Sequence, residues 1–571
     1  MKWTPKTWKS HVQTIQWNPS QQAVMEAALE TNENIILEAC AGSGKTTLLT
    51  SIVARLPASK ITPEGKKEYR VLFCAFNRHN IDEITNSGKL PKRVQARTAH
   101  QVAKGLLTRY LKAKNPDWTL KVDSEDQICR NICSATALRF NEVYEEYQKD
   151  KDEDYAPLIY QYPVETITEL EIPLMAKYLF RLTEQFRQVL FAISEEEIER
   201  ESLKTSLIPD DLILNKGHYT AIKILLKSIL TDLEYKFKYE QICSFNSMLW
   251  LVEELAIEPF YKDLLIIDEA QDSNPSQQKL YEKFAERGSR VIGVGDPNQS
   301  IWSFCGSTPE AWETFKQRFK GKFMVLEETY RCSQKVAELA NHFKPIQAKT
   351  SNPKGLVKTI APEEIQTYLG SDNLILSRFN APLIKWSLLL TREGISNEIK
   401  GIEISQKIIS YIEKFSNNNY FDYEECDQKT KAKLRELKEN NKHQEAEQIK
   451  DIYLAVQSCY ETLYPEASSV KQWLMKIEQL FKDKNENQIV RLSTIHRSKG
   501  DESENVFLLG SNQLPYHHNE EENNLIYVAI TRSKLNLYLI PTKEENSSQC
   551  EPSHLSDDLG GLQLQKVSWE H

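Results

Sequence analysis

The stretch from Ile35 to Thr47 constrains this chain more than any other part of it. An apolar run, Ile35-Ile36-Leu37, leads into Ala39-Cys40-Ala41-Gly42-Ser43-Gly44-Lys45-Thr46-Thr47, and an apolar helix start follows. The order is strand, tight loop, helix, with the spacing of a phosphate-binding P-loop in which Ala39 replaces the first glycine. Gly42 and Gly44 let backbone N–H groups close around phosphate oxygens, at a helix end that already carries partial positive charge. Lys45 is then placed to reach β- and γ-phosphates, and the Thr46 hydroxyl to ligate Mg²⁺.

A second segment completes the chemistry more than two hundred residues later: Leu264-Leu265-Ile266-Ile267-Asp268-Glu269-Ala270-Gln271-Asp272. An apolar strand that ends in adjacent carboxylates suits Asp268 to the Mg²⁺ shell. It suits Glu269 to orient and deprotonate an attacking water. Together the two segments point to hydrolysis of a nucleoside triphosphate.

Other short apolar runs share this rhythm: Val71–Phe76, Val291–Val294, Leu374–Leu376, Ile489–Leu492, Val506–Leu509 and Leu537–Ile540. Helical periodicity lies between them, which predicts an α/β fold with parallel sheets covered on both faces. Two stretches break the pattern, at about 104–231 and about 403–485. Both are helical in pattern and read as insertions; within the second, Lys429–Lys450 reads as an exposed helix. The last residues, from Asn546, are polar and read as a flexible tail.

Composition excludes some classes. With 571 residues, 40% hydrophobic and 27% charged, the chain has ordinary globular usage. No run approaches the ~18 apolar residues of a membrane span, and the N-terminus lacks a signal-peptide core, so neither membrane insertion nor secretion is expected. Ten cysteines occur singly, without a CxxC pair. Even Cys129 and Cys133 read as buried thiols in a reducing cytoplasm. The net charge of −9 hides an asymmetry. Residues 1–110 carry 16 Lys/Arg against 8 Asp/Glu, whereas residues 141–202 carry 6 against 16. Uneven solvated surface and a basic segment that meets an anion both fit, and charge alone does not choose between them.

The order of further motifs resembles the UvrD/Rep/PcrA family of superfamily 1 DNA helicases. Leu37-Glu38-Ala39-Cys40-Ala41 adds a flavour of its F-box branch, although no F-box segment is evident. Asn18-Pro19-Ser20-Gln21-Gln22 is similar to the Q motif, Val71–Asn80 to motif Ia, Ala96–His100 to motif Ib, Asp268–Asp272 to motif II and Gly295–Trp302 to motif III. Leu326–Arg331 is similar to motif IV, Ser377–Ala381 to the motif after it, Thr494–Glu502 to motif V and Leu525–Lys534 to motif VI.

The resemblance implies two RecA-like P-loop NTPase domains, each with a mainly helical insertion. The first would comprise residues 1–103 and 232–321, interrupted by 104–231. The second would comprise 322–402 and 486–545, interrupted by 403–485, with the tail at 546–571. It implies ATP and Mg²⁺ as ligands. Ala41, Gly42, Ser43, Gly44, Lys45, Thr46 and Thr47 would hold the phosphates. Gln21 would read the adenine, Tyr330 would stack on it, and Glu502 would touch the ribose or phosphates. Arg331 and Arg532 would act as arginine fingers, and Gln299 would couple the γ-phosphate to the DNA site.

Single-stranded DNA and its junctions with duplex are the implied partner. Phe76, Phe245, Trp302 and Phe304 are the stacking candidates; Asn77, Thr98, His100, Arg378, Asn380, Thr494 and His496 are the polar ones. The implied activity is ATP-dependent 3′→5′ unwinding in the cytoplasm, nucleoid-associated if the source is bacterial. The second insertion is much shorter than in UvrD or Rep, so a translocase that strips bound proteins is the alternative. A motor subunit of a larger repair or defence complex, recruited through the insertions or tail, is another. Motif III lacks the family's usual arginine and tryptophan after Trp302, and motif V carries Asp501 and Ser503 where an apolar residue and an aromatic are common.

Overall fold

The structure, a computed structural model, describes residues 15–62, 65–76, 78–86, 90–91, 93–151, 166–209, 212–301, 310–417, 420–439, 443–482, 489–517 and 519–542. The tail from Asn546 and the site candidates Asn77, Trp302 and Phe304 lie outside them. By compactness the chain divides into two units. One holds the residues up to Ala39 together with Lys45–Leu326; the other holds Cys40–Gly44 together with the chain from Glu327.

The first unit is built on a six-stranded parallel sheet. Its strands are β1 (Ile35–Ala39), β2 (Val71–Cys74), β3 (Val94–Arg97), β4 (Leu264–Ile267), β5 (Arg290–Gly295) and β6 (Lys322–Leu326), in the spatial order β6-β1-β5-β4-β2-β3. Along β1, Ile35 and Leu37 pack with Val24 of helix α1 (Pro19–Glu30) and with Leu48 and Ile52 of α2 (Lys45–Arg55). Ile36, pointing the other way, joins a different cluster. The same alternation separates Leu264 and Ile266 from Leu265 and Ile267. Successive strand side chains point to opposite faces, so a strand covered on both sides must be apolar throughout.

The second face is covered by helices α3 (Ala99–Lys114), α4 (Gln127–Ala137), α5 (Ile172–Val189), α6 (His218–Glu240), α7 (Ser247–Glu254) and α8 (Pro275–Glu286). Leu106, Tyr178, Ile222 and Trp250 share one buried cluster with the sheet residues Leu72 and Leu265. The stretch that reads as an insertion is thus continuous with the core of the sheet. Strand β6, assigned from the sequence to the second domain, pairs with β1 (Ile35 opposite Lys322), which carries the first sheet on to Leu326.

The second unit has its own six-stranded parallel sheet. Strands β7 (Leu356–Thr359), β8 (Asn373–Ser377), β9 (Asn397–Ile399), β10 (Val490–Thr494), β11 (Ser503–Leu509) and β12 (Ser533–Ile540) run in the order β7-β12-β11-β8-β10-β9. One face packs on α9 (Asn380–Arg392) and on the helices of the second insertion: α10 (Ile402–Glu413), α11 (Tyr423–Glu439), α12 (His443–Leu463) and α13 (Val470–Gln479). Trp473 is fully buried there, and its indole N–H donates to the Cys459 carbonyl at 3.2 Å. The charged run Lys429–Lys450 is divided between α11 and α12. Helix α14 (Glu520–Ile530) leads into β12.

Among the described residues no helix is long and apolar enough to cross a membrane. Eight cysteines are described, all free and buried. The Cys129 and Cys133 sulfurs, one turn apart on α4, are 3.9 Å from each other.

Candidate functional site

In the first unit, Lys45 opens α2 and Asp268 follows β4. The Asp268 N–H donates to the Cys74 carbonyl of β2 at 2.8 Å, which fixes that carboxylate relative to the sheet. Glu269 has φ +55°, a left-handed backbone that costs a non-glycine residue roughly 1–2 kcal/mol. This turn lets two adjacent carboxylates face the start of α2. The Thr46 hydroxyl donates to Asp268 Oδ2 at 3.3 Å, and Lys45 Nζ lies 3.5 Å from Glu269 Oε1. Thr47 follows in the same helical turn. Burial first, and the Glu269 charge second, push the Asp268 carboxyl above its ordinary range.

That pairing fits a hard divalent cation. Mg²⁺ takes oxygen donors and is usually held by one or two carboxylates together with substrate phosphates. Thr46 and Asp268 supply such oxygens, and a cation would relieve the cost of the buried Asp268 charge. Among the described residues no group of three or more His, Cys, Asp or Glu could hold a metal ion.

Gln271 and Asp296, to which the motifs assign no separate role, link the two loops. Gln271 Nε2 donates to Glu269 Oε2 at 2.7 Å, while Gln271 Oε1 accepts from the Asp296 N–H at 3.0 Å. Asp296 Oδ2 in turn accepts from Gln299 Nε2 at 2.5 Å. A continuous line of hydrogen bonds therefore joins Glu269, after β4, to Gln299, after β5. Gly295 gives it room: a Cβ there would lie 2.7 Å from Gln271 Oε1. The signal was present, since Gln271 and Asp296 stand inside motifs II and III.

Gln21 is buried, and its Oε1 accepts from the Asn18 N–H at 3.1 Å as part of a capping box on α1. Reading an adenine is thus not the sole use of that amide. Thr98 likewise caps α3, its hydroxyl accepting from the Gln101 N–H at 3.2 Å. Phe76 is half-buried just after β2. His100 and Phe245 come together: their rings stack at 4.2 Å with planes 10° apart, and Phe245 is 43% exposed.

In the second unit, Gly42 has φ +71° and Gly44 φ +80°. The Gly42 carbonyl accepts from the Tyr330 N–H at 2.8 Å, and the Ala41 N–H donates to the Tyr527 hydroxyl at 3.3 Å. Ser43 is turned inward, its hydroxyl donating to the Cys40 carbonyl at 2.8 Å. A Cβ on Gly42 would lie 2.4 Å from the Arg331 Cβ, so only glycine fits. Lys349 Nζ sits 4.9 Å from the centre of the Tyr330 ring. Arg331 Nε pairs with Glu502 at 2.7 Å, which brings together two of the expected nucleotide contacts.

Other site candidates of this unit are engaged by neighbouring groups. Arg532 is buried, with Nε on the Val528 carbonyl (3.0 Å), one terminal nitrogen on the Asp501 carbonyl (3.1 Å) and the other on the Thr531 hydroxyl (3.3 Å). These contacts brace motif V against motif VI. Arg378, expected to meet DNA, is neutralised by buried Glu522 at 2.9 Å. The Asn380 amide donates to Asp451 of α12 at 2.7 Å, and the same carboxylate caps α9 through the Asn380 and Ala381 N–H groups. These three side chains serve first as framework. Thr494 is buried at the end of β10.

Burial holds His100 and His496 neutral, lowering each to about 4; the Arg378 charge adds to the effect at His496. The unfolded chain takes up these protons near pH 6.5, but the folded chain does not until about pH 4. Stability from each imidazole is therefore complete above pH 6.5 and is lost as pH falls toward 4. A His100→Gln variant is expected to lose about 2 kcal/mol less stability than the parent between pH 7 and pH 5, measured by urea unfolding. Equal losses would show that His100 protonates freely in the folded state.

Comparison with known proteins agrees with this layout. Residues 17–320 match the UvrD/REP helicase N-terminal domain, and residues 490–540 match the UvrD-like helicase C-terminal domain. ATP-dependent DNA helicase Rep of Buchnera aphidicola is 25% identical over 339 residues, covering 57% of this chain and 44% of the relative. F-box DNA helicase protein 1 of Schizosaccharomyces pombe is 23% identical over 558 residues, 91% of this chain and 57% of the relative. ATP-dependent DNA helicase UvrD2 of Mycobacterium bovis is 25% identical over 328 residues, 48% of this chain and 46% of the relative. The chain spans about half the length of the curated relatives it matches. Its N-terminal match alone covers more than half of its residues, and the chain belongs to the UvrD/REP helicase family.

Proposed function

We propose that the chain is an ATP-driven motor on single-stranded DNA that unwinds duplex in the 3′→5′ direction. The observation that carries this reading is the placement of Lys45 and Thr46 against Glu269 and Asp268, with Gln271 and Asp296 extending the contact to Gln299. Both units are read as RecA-like.

Lys45 binds the β- and γ-phosphates. Thr46 and Asp268 would hold Mg²⁺, which would supply positive charge to offset that of the phosphates. Glu269 orients the attacking water and takes its proton, with Gln271 fixing the carboxylate. Arg331, steered by Glu502, supplies positive charge to the γ-phosphate. Loss of that phosphate is sensed at Gln299 and relayed toward the DNA side of the first sheet. A nucleotide held more tightly in one arrangement than another shifts the balance between them, which is how a chemical step becomes movement.

DNA is gripped by stacking on exposed aromatic faces such as Phe245, which suits a motor indifferent to sequence. A reducing compartment with access to the chromosome suits the buried free thiols. The relatives, DNA helicases from bacteria and yeast, support the substrate class.

The test is unwinding of forked duplexes that carry a single-stranded tail of one polarity. ATP-dependent strand separation with a 3′ tail and little with a 5′ tail is the expected result. Stripping of a bound protein without separation of strands would favour the translocase reading, for which the reduced second insertion argues. Separation from the 5′ tail alone would contradict the polarity.

A further inference from the structure

Arg187, in the last turn of α5, has a fully buried side chain. Its two terminal nitrogens grip the Asp126 carboxylate, at 2.6 and 3.3 Å. One of them also donates to the hydroxyls of Ser244 (3.0 Å) and Ser247 (2.8 Å). Asn246 donates to the same Asp126 carboxylate at 3.3 Å and to Glu184 at 3.1 Å. Of the turn Ser244–Ser247, three side chains are therefore tied inward to one buried ion pair. The fourth is Phe245, 43% exposed and stacked on His100.

A buried ion pair is weak support for stability, because the desolvation cost of both charges offsets their attraction. What this one fixes is geometry. Asp126 adopts φ +58°, a left-handed backbone that a non-glycine residue holds only when its surroundings insist. The Phe245 N–H is also fixed, donating to the Asp123 carbonyl at 2.9 Å. The Arg187 carbonyl accepts from the hydroxyl of Ser276, in the first turn of α8. That helix begins three residues after Asp272, the last residue of motif II. The same arginine thus touches the turn that carries the exposed aromatic and the helix that leaves the carboxylate loop.

We infer that Arg187 is a positioning residue for single-stranded DNA: through Asp126, Ser244 and Ser247 it holds Phe245 in the orientation that a base stacks upon. This rests on the reading of the chain as a motor on single-stranded DNA. An aromatic fixed before binding loses less freedom when a base stacks on it, so affinity for the strand depends on a group that never meets it.

The experiment measures ATP turnover against oligo-dT concentration, and fluorescence of an oligo-dT carrying one 2-aminopurine, in the full chain. Arg187→Met with Asp126→Leu removes both charges and keeps apolar bulk. Ser244→Ala with Ser247→Ala keeps the ion pair and cuts its tie to the turn. Phe245→Ala serves as reference. Both double variants are expected to raise the half-saturating oligo-dT concentration about tenfold, as one lost stack would. Turnover at saturating DNA is expected within about twofold of the parent, with the 2-aminopurine signal changed as in Phe245→Ala. Arg187→Lys, which lacks the fork, is expected not to restore affinity. An unchanged half-saturation in Ser244→Ala/Ser247→Ala, or a fall in turnover with half-saturation unmoved, overturns the inference, whether or not the charge-removing variant folds. Phe245→Ala without effect overturns the inference alone, whereas a parent chain indifferent to oligo-dT overturns the underlying reading as well, so the two failures are told apart.

Discussion

Arg331→Ala is expected to slow DNA-stimulated ATP turnover by about 10³-fold or more, the range in which arginine fingers act. Arg331 is held by Glu502 at 2.7 Å, and its Cβ position leaves room only for glycine at position 42. As an arginine finger, Arg331 would act on charge that develops during transfer, more than on the ground state. Affinity for a fluorescent ATP analogue is therefore expected to change little, while turnover collapses. Arg331→Lys is not expected to rescue, because an ammonium lacks the planar fork that meets two oxygens at once. If turnover and nucleotide affinity fell together, Arg331 would be a ground-state binding residue.

Glu269→Gln is expected to cut turnover by about 10²–10⁴-fold, the usual contribution of a positioned general base. The amide keeps the shape and a partner for Gln271 but takes no proton from water. It also removes one of the charges that hold the Asp268 carboxyl up, so Asp268 becomes the more readily ionised, and binding of Mg²⁺ and nucleotide is expected to persist. Rapid-quench measurement of a single turnover isolates this step. Near-normal cleavage would reassign the base.

Within the two six-stranded sheets, the eight strands evident from the sequence and the four that were not differ in one physical respect. Ile35–Ala39, Leu264–Ile267 and Asn373–Ser377 lie inside their sheets, covered on both faces, and are marked by the apolar runs Ile35–Leu37, Leu264–Ile267 and Leu374–Leu376. The four unread strands, Val94–Arg97, Lys322–Leu326, Leu356–Thr359 and Asn397–Ile399, are the edges of the two sheets. Val94–Arg97, Leu356–Thr359 and Asn397–Ile399 mix polar with apolar residues, so no continuous run marks them; Phe323–Leu326 is an apolar run, but most of that strand is exposed.

The candidate site divides in the same way. Lys45, Thr46, Asp268 and Glu269 were legible because their chemistry requires those residue types directly after a strand. Arg378, Asn380 and Arg532 were legible as motif positions, but their partners Glu522, Asp451 and the Val528 and Asp501 carbonyls are set by tertiary packing. Gln271 could be read as part of a motif, yet its link to Asp296 exists only because β4 and β5 are neighbours.

The central claim is that ATP hydrolysis at Lys45 and Glu269 is coupled to a single strand of DNA. The most direct measurement is steady-state ATP turnover of the full chain with and without oligo-dT, run beside Lys45→Ala. The account predicts strong stimulation by oligo-dT in the parent and turnover at background in Lys45→Ala under both conditions. Turnover that is indifferent to DNA, or that survives the loss of Lys45, would contradict it.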